Sequence, residues 1–307
     1  MRYAVLDVGT NTVKLLVADH LDNDLQPLLE ESEPTRLGQD VSRNKKLLPQ
    51  AIERTVKSIE GLVRKARKFE PQQFLAYTTS AVRDSTNRDD FLRQFREAAG
   101  FECEVISGEK EAEFIFRGAT SHPALRDREI IVFDIGGGSM EFIHGRGDKI
   151  EFKTSLNCGA VRMTEMFVKS DPPSKAELAA LEKHVLDHIR SAATALGTTH
   201  DRIPLLGTGG TISCLASMDL GLEHPTPARI DGHSFTLDRL TQLRNALSGQ
   251  TLAERKQIRG LPPSRADIIV AGSWILVSGL QFLEQTQITV SARNLRYGAI
   301  LKHAAQC

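Results

Sequence analysis

The chain has 307 residues, room for about two domains of ordinary size, and its 39 basic and 39 acidic side chains give a formal net charge of +0. That balance excludes a general electrostatic grip on nucleic-acid polymers or anionic membranes, though not a local basic groove. A hydrophobic content of 40% at zero net charge excludes a disordered chain.

In chain order, Tyr3–Val8 is a short apolar run ending in Asp-Val-Gly, a buried strand that feeds a turn, and Val13–Ala18 is the strand returning from it. Leu48–Phe69 carries Leu48, Ile52, Val56, Ile59, Val63 and Ala66 at three- and four-residue steps, which predicts an amphipathic helix. Phe74–Tyr77 reads as a strand, Arg88–Ala99 as a helix stopped by Gly100, and Glu109–Ala119 as a further helix. The polar stretch Ser121–Arg128, with Pro123 inside it, is the expected domain boundary. Ile130–Ile135 then repeats the opening of the chain: strand, Asp, aliphatic residue, Gly, small residues and a hydroxyl residue, as in Asp7–Thr12, each followed by a second apolar strand. Ser174 with Glu177 forms a capping-box pattern at the head of a helix running to about Leu196. Ile203–Leu206 is a strand entering Gly207-Thr208-Gly209-Gly210-Thr211 and another helix, and helices near Leu237–Leu247, Arg265–Leu283 and Leu295–Ala305 close the chain. The alternation predicts two α/β domains facing each other across a cleft.

Cys103, Cys158, Cys214 and Cys307 form no CxxC pair and have no histidine cluster beside them in sequence, which argues against a zinc site or a disulfide framework and for a reducing cytoplasm. Asp7 falls inside what would be the apolar core of a signal peptide, so none is expected. The uncharged stretch Ile268–Leu283 is shorter than the roughly 20 residues a spanning helix needs and reads as a buried helix with Trp274 in the core or at an interface. His184 and His188 are four apart on a helix, but lie on its polar side and read as solvated.

Three glycine-rich turns follow strands: Gly9-Thr10-Asn11-Thr12, Gly136-Gly137-Gly138-Ser139 and Gly207–Thr211. Without a Cβ, glycine lets backbone N–H groups approach phosphate oxygens, and the hydroxyls add donors. Asp7 and Asp134 sit on the repeated turns and Glu141 lies on the strand leaving the second, an arrangement that suits Mg²⁺ beside phosphate; turn capping or pairing with a cation is the competing reading.

These motifs, taken together, resemble the exopolyphosphatase/guanosine pentaphosphate phosphohydrolase family of the actin, sugar-kinase and heat-shock ATPase superfamily. The resemblance covers nearly the whole chain. It rests on Asp7–Leu15, Glu30-Glu31 with Thr35-Arg36-Leu37-Gly38, Thr79–Asn87, Ile106–Ala112, Asp134–Glu141, Leu156–Arg162 and Gly207–Thr211. It implies two ribonuclease-H-like (actin-like ATPase) domains flanking an interdomain cleft, residues 1–124 and 125–292, with a helix over 293–307 packing back on the first. It implies removal of terminal phosphate from linear polyphosphate or a guanosine nucleotide with Mg²⁺, or Mn²⁺ in its place. Glu111, otherwise anonymous among Glu109 and Glu113 on a charged helix face, becomes the expected base that activates water. Arg83 is expected to bind phosphate and offset charge in the transition state, with Arg36 a weaker candidate or a salt-bridge residue. Asp134 and Glu141 become the metal residues, and Asp7, Gly9, Thr10, Asn11, Gly136, Gly137, Gly138, Ser139, Gly209, Gly210 and Thr211 the phosphate-binding set.

Some positions depart from the family pattern. Thr10 and Thr12 replace serines but keep the hydroxyl; Met140 replaces a threonine beside the metal acids; Lys110 replaces an acid beside the expected base. The sequence, ending at Cys307, reads as a minimal two-domain form, where longer members carry further helical domains. The expected activity is exopolyphosphatase, in a cytoplasmic protein compatible with a homodimer. The alternatives are a guanosine pentaphosphate 5′-phosphohydrolase, which would need a base or ribose pocket, and a catalytically idle phosphate or nucleotide sensor on the same fold. An ATP-using sugar kinase is disfavoured by the Arg83 and Glu111 motifs.

Overall fold

In a computed structural model, which describes residues 1–21, 24–125, 127–193 and 203–306, the chain divides into two units: Met1–Pro123 with Asn294–Cys307, and Ala124–Arg293. The first unit opens with β1 (Arg2–Val8), β2 (Thr12–Leu21) and β3 (Asp24–Pro34), an antiparallel meander. It continues through α1 (Val41–Asn44), α2 (Pro49–Arg67), β4 (Gln73–Thr78), α3 (Ser80–Arg83), α4 (Arg88–Ala99), β5 (Glu104–Val105) and α5 (Gly108–Ala119). The sheet order is β3-β2-β1-β4-β5, with β4 parallel to β1 and β5 parallel to β4. A strand paired on both edges and covered on both faces is apolar nearly throughout. β1 is buried from Tyr3 to Val8, and only Asp7 breaks its apolar run. α2 starts with Pro49 at its first turn, where the missing N–H costs nothing, and buries Ile52, Ile59, Leu62, Val63 and Ala66 on one face.

The second unit repeats the scheme with β6 (Glu129–Ile135), β7 (Met140–Arg146), β8 (Lys149–Leu156), α6 (Ala160–Phe167), α7 (Lys175–Ala193), β9 (Leu205–Thr208) and α8 (Gly210–Asp219). α9 (Pro227–Ile230), β10 (Ser234–Thr236), α10 (Leu237–Gly249), α11 (Leu252–Arg255), α12 (Ile269–Phe282) and β11 (Gln287–Val290) complete it. Its order is β10-β11-β9-β6-β7-β8, so β8-β7-β6-β9-β11 matches the first sheet strand for strand and β10 is an added antiparallel edge. The repeat extends to register. Asp7 pairs with Lys14 across β1 and β2 as Asp134 pairs with Glu141 across β6 and β7. Gly9 N donates to Thr12 O at 3.1 Å as Gly136 N donates to Ser139 O at 3.0 Å.

α13 (Leu295–Ala304), capped by the Asn294 side chain, belongs to the first unit and packs along α5. Glycine makes that crossing: a Cβ on Gly298 would lie 1.8 Å from the Phe114 carbonyl oxygen, and one on Gly118 2.0 Å from that of Asn294. The buried Arg296 donates to Leu15 O at 2.6 Å and Glu30 Oε2 at 2.9 Å, while Tyr297 Oη donates to Glu30 Oε1 at 2.8 Å. Glu30 therefore anchors the last helix to β2 and β3.

Most elements fall where the periodicity places them, including α4 with Gly100 beyond it at φ 84°. Ser174 and Glu177 cap α7 reciprocally, with Ser174 N to Glu177 Oε2 at 2.8 Å and Glu177 N to Ser174 Oγ at 3.3 Å; the expected end near Leu196 lies outside the described residues, as does Cys307 of the last helix. The strand expected over Ile203–Leu206 forms at Leu205–Thr208, displaced toward the glycine turn. The helix expected over Arg265–Leu283 is divided into a 3₁₀ turn at Pro263–Arg265 and α12. Trp274 sits at the rim of the core, its Nε1 donating to Ser248 Oγ at 2.9 Å and the Arg244 guanidinium 4.2 Å over its ring. Among the described residues no helix is long and apolar enough to cross a membrane.

Candidate active site

The candidate residues follow the carboxyl ends of the parallel strands in each unit, where loops leave a doubly wound sheet with free backbone groups. In the first unit β1 ends at the Gly9–Thr12 turn. Asn11 O accepts from Thr35 N and Arg36 N at 3.0 Å each, and Thr10 O accepts from Gly38 N at 2.8 Å. This strap brings Arg36 to the turn and holds it at φ 52°, a left-handed conformation that costs about 1–2 kcal/mol for a residue with a Cβ. The Thr10 hydroxyl lies 2.9 Å from that of Ser80, at the head of α3, so the loop after β4 joins the cluster. Asp7 is 8% exposed, with Lys14 Nζ 3.9 Å from Oδ2.

Arg83 and Glu111 meet. Arg83 Nη1 donates to Glu111 Oε2 at 3.1 Å and to Ile106 O at 3.0 Å. Glu111 lies in the first turn of α5, whose N-cap Ser107 accepts from Lys110 N at 3.2 Å, and it is only 7% exposed. Among the described residues Nε and Nη2 of Arg83 make no hydrogen bond, so the guanidinium orients the carboxylate while keeping donors for an anion. Lys110 is directed to Glu104 Oε1 at 2.6 Å, with its ammonium near the Tyr77 and Phe114 rings.

In the second unit Asp134 and Glu141 are opposed in register, 8% and 0% exposed, and Ser155 Oγ donates to Glu141 Oε1 at 2.7 Å. Two buried carboxylates facing each other are costly unless a cation joins them, and an all-oxygen donor pair is what Mg²⁺ prefers. The donor set thus fits the expected metal. Gly136–Ser139 turns beside them; Arg162 Nε donates to Gly138 O at 2.9 Å. Gly209 has φ 95°, and a Cβ there would lie 2.6 Å from Ile135 O and 3.0 Å from Asp134 Oδ1. Only glycine leaves that carboxylate clear. Gly210 and Thr211 open α8, whose first N–H groups lack helical partners and suit a phosphate.

The structure therefore gathers Asp7, Gly9, Thr10, Asn11, Arg36, Arg83 and Glu111 in one unit, and Asp134, Gly136, Gly137, Gly138, Ser139, Glu141, Gly209, Gly210 and Thr211 in the other. Met140 is fully buried in the apolar core of the second unit, so its departure from a hydroxyl residue is met by packing. Arg265 was not singled out by sequence: its guanidinium lies against Gly210, 2.3 Å from where a Cβ would stand, and no spacing pattern signals it. Neither Cys158 nor Cys103 is an activated nucleophile for this site, since burial pushes the metal-free Cys158 thiol up to about 12 and the Cys103 thiol higher. His184 and His188 are not solvated as expected: both are half-buried, packed together with Phe167 and Cys158.

The strand order shared by the two sheets is the ribonuclease-H-like arrangement of actin-like ATPases. Within that class the chain belongs to the Ppx/GppA phosphatase family, whose model matches residues 16–306. It is 33% identical over 316 aligned positions to a bifunctional 3-dehydroquinate synthase/phosphatase of Fusobacterium nucleatum, covering 97% of this chain and 46% of that protein, so it spans about half of that relative. Exopolyphosphatase 2 of Mycobacterium tuberculosis is 30% identical, covering 99% of this chain and 98% of that protein. An exopolyphosphatase structure from Cytophaga hutchinsonii superposes with a TM-score of 0.91 at 27% identity, over 100% of this chain and 98% of that one. Family membership places the chain among phosphohydrolases.

Proposed function

We propose that the chain is an exopolyphosphatase that removes the terminal phosphate of linear inorganic polyphosphate. The observation that carries this reading is the Arg83–Glu111 pair: an oriented, nearly buried carboxylate whose arginine partner retains donors for a phosphoanhydride. The whole-length relation to the mycobacterial exopolyphosphatase supports the substrate.

Glu111 accepts a proton from water as the water oxygen bonds to phosphorus; the P–O bond to the rest of the chain breaks, giving orthophosphate and a chain one phosphate shorter. Arg83 offsets charge on the transferring group. Backbone N–H groups of the Gly9–Thr12, Gly136–Ser139 and Gly209–Thr211 turns would hold phosphate oxygens, with Asp7 and Arg36 beside the first of these turns and Arg265 beside Gly210. Asp134 and Glu141 are the residues that would hold Mg²⁺ or Mn²⁺, which when bound neutralises phosphate charge. A cytoplasmic enzyme, alone or as a homodimer, is part of the same proposal.

Phosphate release from long-chain polyphosphate and from guanosine pentaphosphate, measured side by side with Mg²⁺, tests it. Polyphosphate is expected to be turned over faster, and Glu111→Gln to slow release by roughly 10²-fold or more. A preference for the nucleotide would assign the pentaphosphate activity instead; binding without release by the folded protein would make it a sensor and overturn the catalytic roles.

A further inference from the structure

Three side chains distant in sequence meet in the second unit. Cys158 Sγ and one ring nitrogen from each of His184 and His188 lie within 4.8 Å of one another. The two histidines, one helical turn apart on α7, share a face, with ring centroids 4.1 Å apart and the Phe167 ring 5.0 Å from that of His184. Cys158 reaches them from the loop between β8 and α6 and is fully buried.

The hydrogen bonding favours a metal over a packed pair. His188 Nδ1 lies 2.9 Å from His184 O. A carbonyl oxygen only accepts, so Nδ1 carries the proton and Nε2 keeps its lone pair, the tautomer that a backbone carbonyl imposes on metal-binding imidazoles. Among the described residues neither the His184 ring nor Cys158 Sγ makes a hydrogen bond. The convergence of the buried Cys158 sulfur with two half-buried imidazoles is an arrangement that a metal ion would complete.

We infer that Cys158, His184 and His188 form a binding site for a borderline-soft transition-metal ion, with Zn²⁺ its first occupant. Zn–N bonds of about 2.0–2.1 Å and a Zn–S bond of about 2.3 Å put tetrahedral donors roughly 3.5 Å apart, so small side-chain shifts close the site. Three protein ligands leave the fourth position to water. On binding, the thiol proton passes to solvent and sulfur coordinates as thiolate. Thiolate and imidazole discriminate against Mg²⁺, so this site is chemically distinct from the Asp134–Glu141 pair.

The test uses the full chain with Mg²⁺ in excess to occupy oxygen-rich sites. Titration with Co²⁺ is expected to give one equivalent of a thiolate-to-cobalt charge-transfer band, displaced by Zn²⁺. Cys158→Ser is expected to abolish the band. His184→Gln and His188→Gln, at half-buried positions where the fold is less at risk, are each expected to weaken Zn²⁺ binding roughly 10–100-fold in competition with a chromophoric chelator. Absence of the band in the wild-type protein, or an unchanged Zn²⁺ affinity in the doubly substituted His184→Gln, His188→Gln chain, would overturn the site.

Discussion

Exchanging Glu141 for glutamine removes a charge while nearly preserving shape, and Ser155 can still donate to the amide oxygen. Asp134 and Glu141 stand directly opposite each other in the ladder, and Glu141 is fully buried. Directly opposed side chains lie roughly 5 Å apart. Two unit charges at that separation repel by about 3 kcal/mol at an effective dielectric of about 20. Without divalent metal, Glu141→Gln is therefore expected to stabilise the second unit by up to about 3 kcal/mol, a rise in thermal midpoint on the order of 5–10 °C for a unit of this size. With Mg²⁺ the order is expected to reverse, because under the proposed function the cation would stabilise the opposed pair and bind the variant poorly. Scanning calorimetry in EDTA and in Mg²⁺ at neutral pH reads both effects. Lys14→Met, which removes the cation paired with Asp7 at the equivalent place in the first unit, is the control of opposite sign, with a loss of about 1 kcal/mol or less. A Glu141→Gln protein less stable than wild type in EDTA, with both raised equally by Mg²⁺, would refute the electrostatic argument.

Gly298→Val must open the α5–α13 crossing and is expected to cost more than about 3 kcal/mol, read as a lower urea midpoint, whereas Gly61→Ala on α2, where a Cβ meets nothing within 4 Å, should be neutral or stabilising. Glu30→Gln leaves the Arg296 guanidinium buried beside a neutral amide, so a loss of about 3 kcal/mol is expected, and a loss below about 1 kcal/mol would mean that the charge of Glu30 does little to hold α13. Hydrogen bonds from the Ser170 hydroxyl and then the Ser174 N–H hold the Glu177 carboxyl down to about 2 from an ordinary 4.5. A depressed folded pKa stabilises fully above about pH 4.5 and less as pH falls toward about 2, so the deficit of Glu177→Gln in thermal unfolding should shrink across that window; a deficit constant with pH would count against it.

The strands with the strongest sequence signal were the two that end on site acids. β1 and β6 are covered on both faces, so their apolar runs are nearly unbroken and Asp7 and Asp134 stand out against them. β3 and β8 gave no such signal, because each is an outer strand of its sheet with one exposed side and carries polar residues in runs. The glycine turns were legible for the same reason as the acids, by their place after a buried strand. Glu111 was not: its helix face is charged, and what separates it from Glu109 and Glu113 is the approach of Arg83 from another loop. Arg265 reaches Gly210, and Cys158 reaches the α7 histidines, through tertiary contacts that leave no period in the sequence. Spacing showed that His184 and His188 share a face; what packs on that face was beyond it.

The two units use one backbone scheme for different electrostatics. The same strand, turn and cross-strand register put Asp7 opposite a lysine and Asp134 opposite a glutamate. Lys14 offsets the charge of Asp7, leaving the first turn a place for hydroxyls, N–H groups and Arg36, and that unit supplies its carboxylate from α5 instead. Glu141 adds a second carboxylate beside Asp134, which is why the proposed function puts its cation in the second unit. Under the proposed function the division is one of labour, with water activation in the first unit and metal binding in the second. Exchanging the two ladder partners, Lys14→Glu with Glu141→Lys, keeps net charge but moves the opposed acid pair into the unit that holds Glu111, and is therefore expected to abolish phosphate release.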